Sequence, residues 1–333
     1  MTGMLSKSRI PSRRALRISI AALLVPLLAG GTALLTRKSA HAEGAEADKA
    51  ELSERCAIRI AIALTGKSPD PTLLTAPDPQ AAVGAMVSSP DFAERFARFT
   101  NSELNGGPIA NANDDPIYWL AKHVITQKKP WSELFQGAYQ VTPLATAGAG
   151  MEVKDDPNGL GYFRTQSWMK RYAGNEDNGL MLVAAFRIVQ NTTGLELVPS
   201  VGNPGDDRSA EGRKATACKG CHFDAWFAID TVAHLLPTRN GQGDAITFTP
   251  PSAGPQKLLG KSIANDKDLV HALVDSDGWR FNQCRQVFKF LYGRPENQCE
   301  AKVFDACVAA LETEKTIQSA VAAVAKDASF CTN

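Results

Sequence analysis

Several common chemistries leave no mark on this chain. It has no glycine-rich dinucleotide fingerprint, no phosphate-binding loop, no Gly-x-Ser-x-Gly elbow and no His-Glu-x-x-His pair. The usual signatures of nucleotide binding, serine hydrolysis and zinc proteolysis are therefore missing. Strand-like alternation is scarce, which excludes a β-rich body. Acidic residues are absent from the first 42 positions. Methionine is absent after Met181. Histidine is rare, at five in 333 residues, so each one carries weight.

The acid-free N-terminus is organised. Lys7, Arg9, Arg13, Arg14 and Arg17 precede an apolar run from Ile18 to Leu35, and Ala40-His41-Ala42 offers a small-x-small cleavage signal. Residues 1–42 read as an export signal. Arg37 and Lys38 between the run and Ala42, and the length of the run, keep an uncleaved N-terminal membrane anchor as the alternative. Both versions place the body outside the cytoplasm, because five basic residues precede the run and two follow it. The expected location is periplasmic or secreted, in a bacterial cell envelope. Setting the leader aside removes seven of the 36 Lys and Arg and leaves 29 against 35 acidic residues. That net of −6 argues against nucleic acid as a partner and suits a basic redox partner protein.

What is present is Cys218-Lys219-Gly220-Cys221-His222. Two thiols three residues apart, followed by an imidazole, match the covalent attachment site of a c-type haem. Each S–H can add across one haem vinyl group to form a thioether. His222 then supplies the proximal iron ligand. Positions i, i+3 and i+4 share one helix face, so both anchors and the ligand point at the same object. Three other readings compete. A zinc half-site needs a second ligand pair, and no other C-x2-4-C pair occurs. A thioredoxin-like pair should follow a strand, and Lys214 to Ala217 is not strand-like. A pair of buried structural thiols has no use for His222. The expectation is one covalent haem c.

The sixth iron ligand is the gap. No methionine lies downstream, so Met169 or Met181 becomes the candidate distal ligand, with Met151 as a reversible alternative and a core role as the competing reading. A continuous apolar helix from Phe223 to Leu236 would put His222 and His234 about 18 Å apart, too far to share one iron. His123 and His271 sit on helical patterns and read as structural. Phe223, Trp226 and Phe227 are candidates for a porphyrin edge or for ordinary core. The other cysteines, Cys56, Cys284, Cys299, Cys307 and Cys331, are odd in number, so at least one stays unpaired within the chain. Cys299 and Cys307 are close in sequence and would staple a helix entrance, and a Cys284–Cys331 pair would tie the last helix back.

The fold reads as mostly α, with an N-terminal helical domain followed by a cytochrome c-like helical haem module holding few or no strands. The expected segments are 43–145 (helical domain), 146–215 (linker and helical segment) and 216–333 (haem module with C-terminal helices). Leu52 to Leu64 form an apolar stripe closed by Gly66. Asp78-Pro79, Ser89-Pro90 and Asp115-Pro116 each read as an N-cap followed by proline in the first turn. Pro130 opens a fourth helix, Thr146 to Gly161 reads as a soft linker, and four helices fill the C-terminal stretch.

Leu64-Thr65-Gly66-Lys67-Ser68-Pro69, Val87 through Phe96 (VSSPDFAERF) and Cys284 through Arg294 (CRQVFKFLYGR) flank the Cys218–His222 motif in order. This set resembles planctomycete-type cytochrome c proteins. The resemblance implies an exported haem protein with a helical body and a mostly undefined role. The chain departs from that pattern after the motif, where Phe223-Asp224-Ala225-Trp226 replaces the usual proline-glycine turn. Electron transfer follows from a six-coordinate iron. An open distal position would instead give a peroxidase-like enzyme or a ligand sensor. A structural or binding protein with a haem module is the third reading.

Overall fold

The computed structural model describes residues 37–105, 115–146, 148–174, 176–197, 205–224, 227–251, 254–258 and 260–332. The apolar run Ile18 to Leu35 lies outside them. Among the described residues no helix is long and apolar enough to cross a membrane. Contacts divide the chain into Met1–Ala47 and Asp48–Asn333, and the second unit holds the packed body of the protein.

The N-terminal helices start where proline and a short polar side chain coincide. Helix α1 (Arg37–Thr65) ends at Gly66, which takes the left-handed φ of +70°. Its inward face is Cys56, Ala57, Ile60, Ala61 and Leu64, whereas Leu52 and Ile58 point to solvent, contrary to the expected stripe. Asp70 caps α2 (Pro71–Leu74). Asp78 accepts from Gln80 N–H at 3.1 Å and opens a tight turn into α3 (Val83–Met86). Ser89 Oγ accepts from Phe92 N–H at 3.2 Å and starts α4 (Pro90–Leu104). Asp115 Oδ1 accepts from Ile117 N–H at 3.1 Å and starts α5 (Pro116–Thr126). Each such cap contributes about 1 kcal/mol.

The helix expected after Pro130 shrinks to α6 (Glu133–Gln136) and gives way to a hairpin of β1 (Tyr139–Pro143) and β2 (Met151–Asp155), paired antiparallel. Buried Tyr139 and Val141 alternate with exposed Gln140, the period of a half-buried strand. So the stretch 146–161, expected as linker, contributes a strand. Then come α7 (Gln166–Arg171), α8 (Leu182–Thr193), α9 (Thr216–His222) and α10 (Ile229–Ala233). Two further antiparallel pairs are three residues per strand: β3 (Thr238–Asn240) with β4 (Thr247–Thr249), and β5 (Gln256–Leu258) with β6 (Lys261–Ile263). The C-terminal helices are α11 (Asp266–Val274), α12 (Asp277–Tyr292), α13 (Ala301–Glu314), α14 (Ile317–Ala325) and α15 (Ala328–Thr332). The fold is mostly α.

One apolar core runs through all three of the expected segments. Helix α12 packs against α8, α11, α13 and α14. Its Phe290 meets Phe92, Phe96 and Phe99 of α4 at ring separations of 6.1, 4.8 and 5.3 Å. Such aromatic pairs add about 0.5–1.5 kcal/mol each beyond the area they bury. Side-chain hydrogen bonds tie distant segments together. Trp131 Nε1 donates to Gln283 Oε1 at 2.8 Å, and Gln318 Nε2 donates to Ile125 O at 2.7 Å. Asn282 Nδ2 donates to the carbonyls of Asn191 and Thr192 at the end of α8. Asn191 itself is buried and donates to Leu104 O and Tyr162 Oη.

The disulfides correct both suggested pairings. Cys56 joins Cys331, tying α1 to α15, and Cys284 joins Cys307, tying α12 to α13. Proximity in the fold, not in sequence, chose the partners. Cys299 is free and exposed, as the odd count required.

Candidate functional site

Helix α9 carries the Cys218–His222 motif, and none of its residues is buried. It follows a tight turn at Gly212–Lys214 and an extended Ala215, and it ends at Phe223, whose N–H bonds Lys219 O at 2.9 Å. Cys218 is half-buried, Cys221 is exposed, and both thiols are free. A side chain added at Gly220 would meet nothing within 4 Å. The motif therefore presents two unpaired thiols on one open turn.

A single carboxylate holds both ends of this segment. Asp230, on α10, is 1% exposed. Its Oδ2 lies 2.6 Å from His222 Nδ1 at the end of α9. Arg213, five residues before Cys218, donates from Nη2 to Asp230 Oδ1 at 2.8 Å and from Nε to both carboxylate oxygens at 3.1 Å. Arg213 Nη1 also donates to Arg208 O at 2.7 Å. A buried carboxylate costs several kcal/mol unless it is paired and hydrogen-bonded, and here every contact is charge-assisted or a ring N–H. With Nδ1 engaged, the Nε2 of His222 is the nitrogen left to bind a ligand.

The chain between α9 and α10 corrects the continuous helix expected from Phe223 to Leu236. It breaks after His222 and passes through Ala228, a non-glycine residue in the left-handed region with φ +41° and ψ +48°. The distance argument against His234 loses its premise with that break. Phe227 is buried and stacks on Phe186 with ring centroids 6.3 Å apart, a core contact, and Phe223 is half-buried. Trp226 lies outside the described residues.

Met169 and Met181 do come together. They line a small pocket with Leu160, Trp168, Ile188 and Leu236, and no residue of α9 lines it. Met181 is 1% exposed at the start of α8. Met151 is buried on β2. His271 is exposed on α11. His123, on α5, leans edge-on against Tyr139, and its buried Nε2 has no hydrogen-bond partner. Burial, aided by Lys129, holds its imidazole below the usual histidine range.

Among the described residues no three His, Cys, Asp or Glu side chains converge as a site for a metal ion. This disfavours a zinc centre built from Cys218, Cys221, His222 and Asp230, since four-coordinate zinc needs such a cluster. A porphyrin-held iron asks the protein for one axial nitrogen and two attachment sulfurs, the donor set that α9 offers. Sequence reasoning passed over Asp230 and Arg213. The available signal was a lone carboxylate among Ile229, Val232, Ala233, Leu235 and Leu236, where a charge must find a partner. Comparison with family models, curated proteins and solved structures finds no match to this chain.

Proposed function

We propose that this chain is an exported, monohaem c-type cytochrome-like protein that passes single electrons in the cell envelope. The observation that carries the reading is the pair of unbonded thiols, Cys218 and Cys221, on a helical turn none of whose residues is buried. Four of the other five cysteines are paired in disulfides. Cys218 and Cys221 would hold the group covalently, and His222 would bind its iron through Nε2. When bound, haem supplies a one-electron ferric–ferrous couple whose potential follows its ligands and burial. Asp230 and Arg213 orient the imidazole. The resemblance to planctomycete-type cytochrome c proteins supports the same reading. Met169 or Met181 serves as sixth ligand on this proposal if their pocket opens toward α9. The partners would be basic redox proteins of the envelope.

A second reading is a peroxidase-like enzyme with an open distal position. The carboxylate on His222 Nδ1 favours it, because it makes the imidazole a stronger electron donor. The test is the protein purified from a host that matures c-type haem. Retention of in-gel peroxidase stain after boiling in detergent, with a mass gain of one porphyrin lost in C218A/C221A, is expected. No covalent porphyrin on the wild-type chain overturns the proposal. Sharp reduced α and β bands unmoved by carbon monoxide indicate the carrier. A high-spin spectrum that shifts with carbon monoxide indicates the enzyme.

A further inference from the structure

Resting on His222 as the iron ligand, the geometry points to Asp230 as a positioning residue that fixes the imidazole and lowers the reduction potential of the bound group, with Arg213 limiting how far. The place of one proton decides the rest. An ionised carboxylate can only accept hydrogen bonds, so Asp230 Oδ2 at 2.6 Å requires the proton on His222 Nδ1. That fixes the tautomer and ring plane and leaves Nε2 as the donor atom. The hydrogen bond to an anion shifts electron density toward Nε2 and raises its strength as a ligand. A buried negative charge behind the ring favours the more positive oxidation state of the metal, so it favours ferric over ferrous. Because Asp230 is 1% exposed, water screens this charge little.

Arg213 acts in the opposite sense. Its guanidinium clasps the same carboxylate, and its side chain is 12% exposed. It neutralises part of the anion. The pair thus sets the potential by two opposed charges on one hydrogen-bonded chain, Arg213 to Asp230 to His222. Structural support alone would not give the two residues opposite effects on an equilibrium between oxidation states.

The experiment is potentiometric titration of haem-loaded wild type, D230N and R213Q, each first checked for covalent porphyrin by mass. Asparagine keeps the shape and the acceptor oxygen but removes the charge. D230N is expected to favour the ferrous form by about tenfold, a rise of about 59 mV for one electron. R213Q is expected to move the potential the other way by several-fold. Loaded D230N with an unchanged or lower potential overturns the inference. If D230N takes up no porphyrin, R213Q decides: a lower potential supports it, and an unchanged or higher one overturns it. Wild type without porphyrin sinks the parent reading, an outcome separate from either variant's result.

Discussion

Replacing Cys331 by serine opens the link between α1 and α15 and should destabilise the protein more than any single surface change. The two half-cystines are 275 residues apart. In the chain-entropy account, a cross-link that far apart removes about 5.6 kcal/mol of unfolded-state entropy at 25 °C. Cys331 is the better site than Cys56 because it is half-buried, whereas Cys56 is 4% exposed and a serine there would bury a hydroxyl. Opening the Cys284–Cys307 link, across 23 residues, should cost about 3 kcal/mol by the same relation, plus the cavity left at two fully buried positions. The assay is urea unfolding of oxidised wild type and C331S, followed by tryptophan fluorescence. The variant should lose several kcal/mol and show a larger denaturant slope, because its unfolded chain is less constrained. A parallel check is alkylation of the unfolded, unreduced wild type, which should label neither Cys56 nor Cys331. A loss under about 1 kcal/mol, or a labelled Cys56, would refute the entropic reasoning or the connectivity.

Two further outcomes can be measured on the same material. His123 has a pKa below its ordinary 6.5 in the folded protein, chiefly through burial and then Lys129, with Asp155 and Glu133 pulling the other way. The unfolded chain therefore binds more protons between 6.5 and that lowered value, so stability is full above 6.5 and declines as pH falls through the window. H123Q should flatten that decline in melts taken from pH 7 to pH 5, and an unaltered slope would argue against it. Gly194 ends α8 at φ +71°, and a methyl there would meet Asn282 Oδ1 at 2.5 Å. G194A should cost about 2–3 kcal/mol, from the left-handed penalty and the displaced Asn282 hydrogen bonds. Gly293 shares the φ of +71° with nothing within 4 Å, so G293A should show the backbone penalty alone. Equal losses in the two would remove Asn282 from the account.

The caps were readable because they are local: Asp78, Ser89 and Asp115 each satisfy an amide two or three residues on. The four C-terminal helices around Leu269, Val287, Val303 and Ile317 followed from spacing alone. The hairpin after Gln136 was not readable, since five residues per strand give too few periods to outweigh a neighbouring helical pattern. Disulfide partners depend on which helices become neighbours, which no spacing encodes. The break between α9 and α10 turns on Ala228, and alanine gives no hint of a left-handed backbone. The motif at Cys218 to His222 was plain. The carboxylate that holds it was visible only as an anomaly in an apolar run.

The bond between Cys56 and Cys331 encircles nearly the whole described body. A protease that cuts any exposed loop between them leaves two fragments still joined. Such nicked molecules would run at full mass on a gel until thiol reagent is added. Wherever degradative enzymes are abundant, the chain would outlast its first cleavage as a single covalent particle.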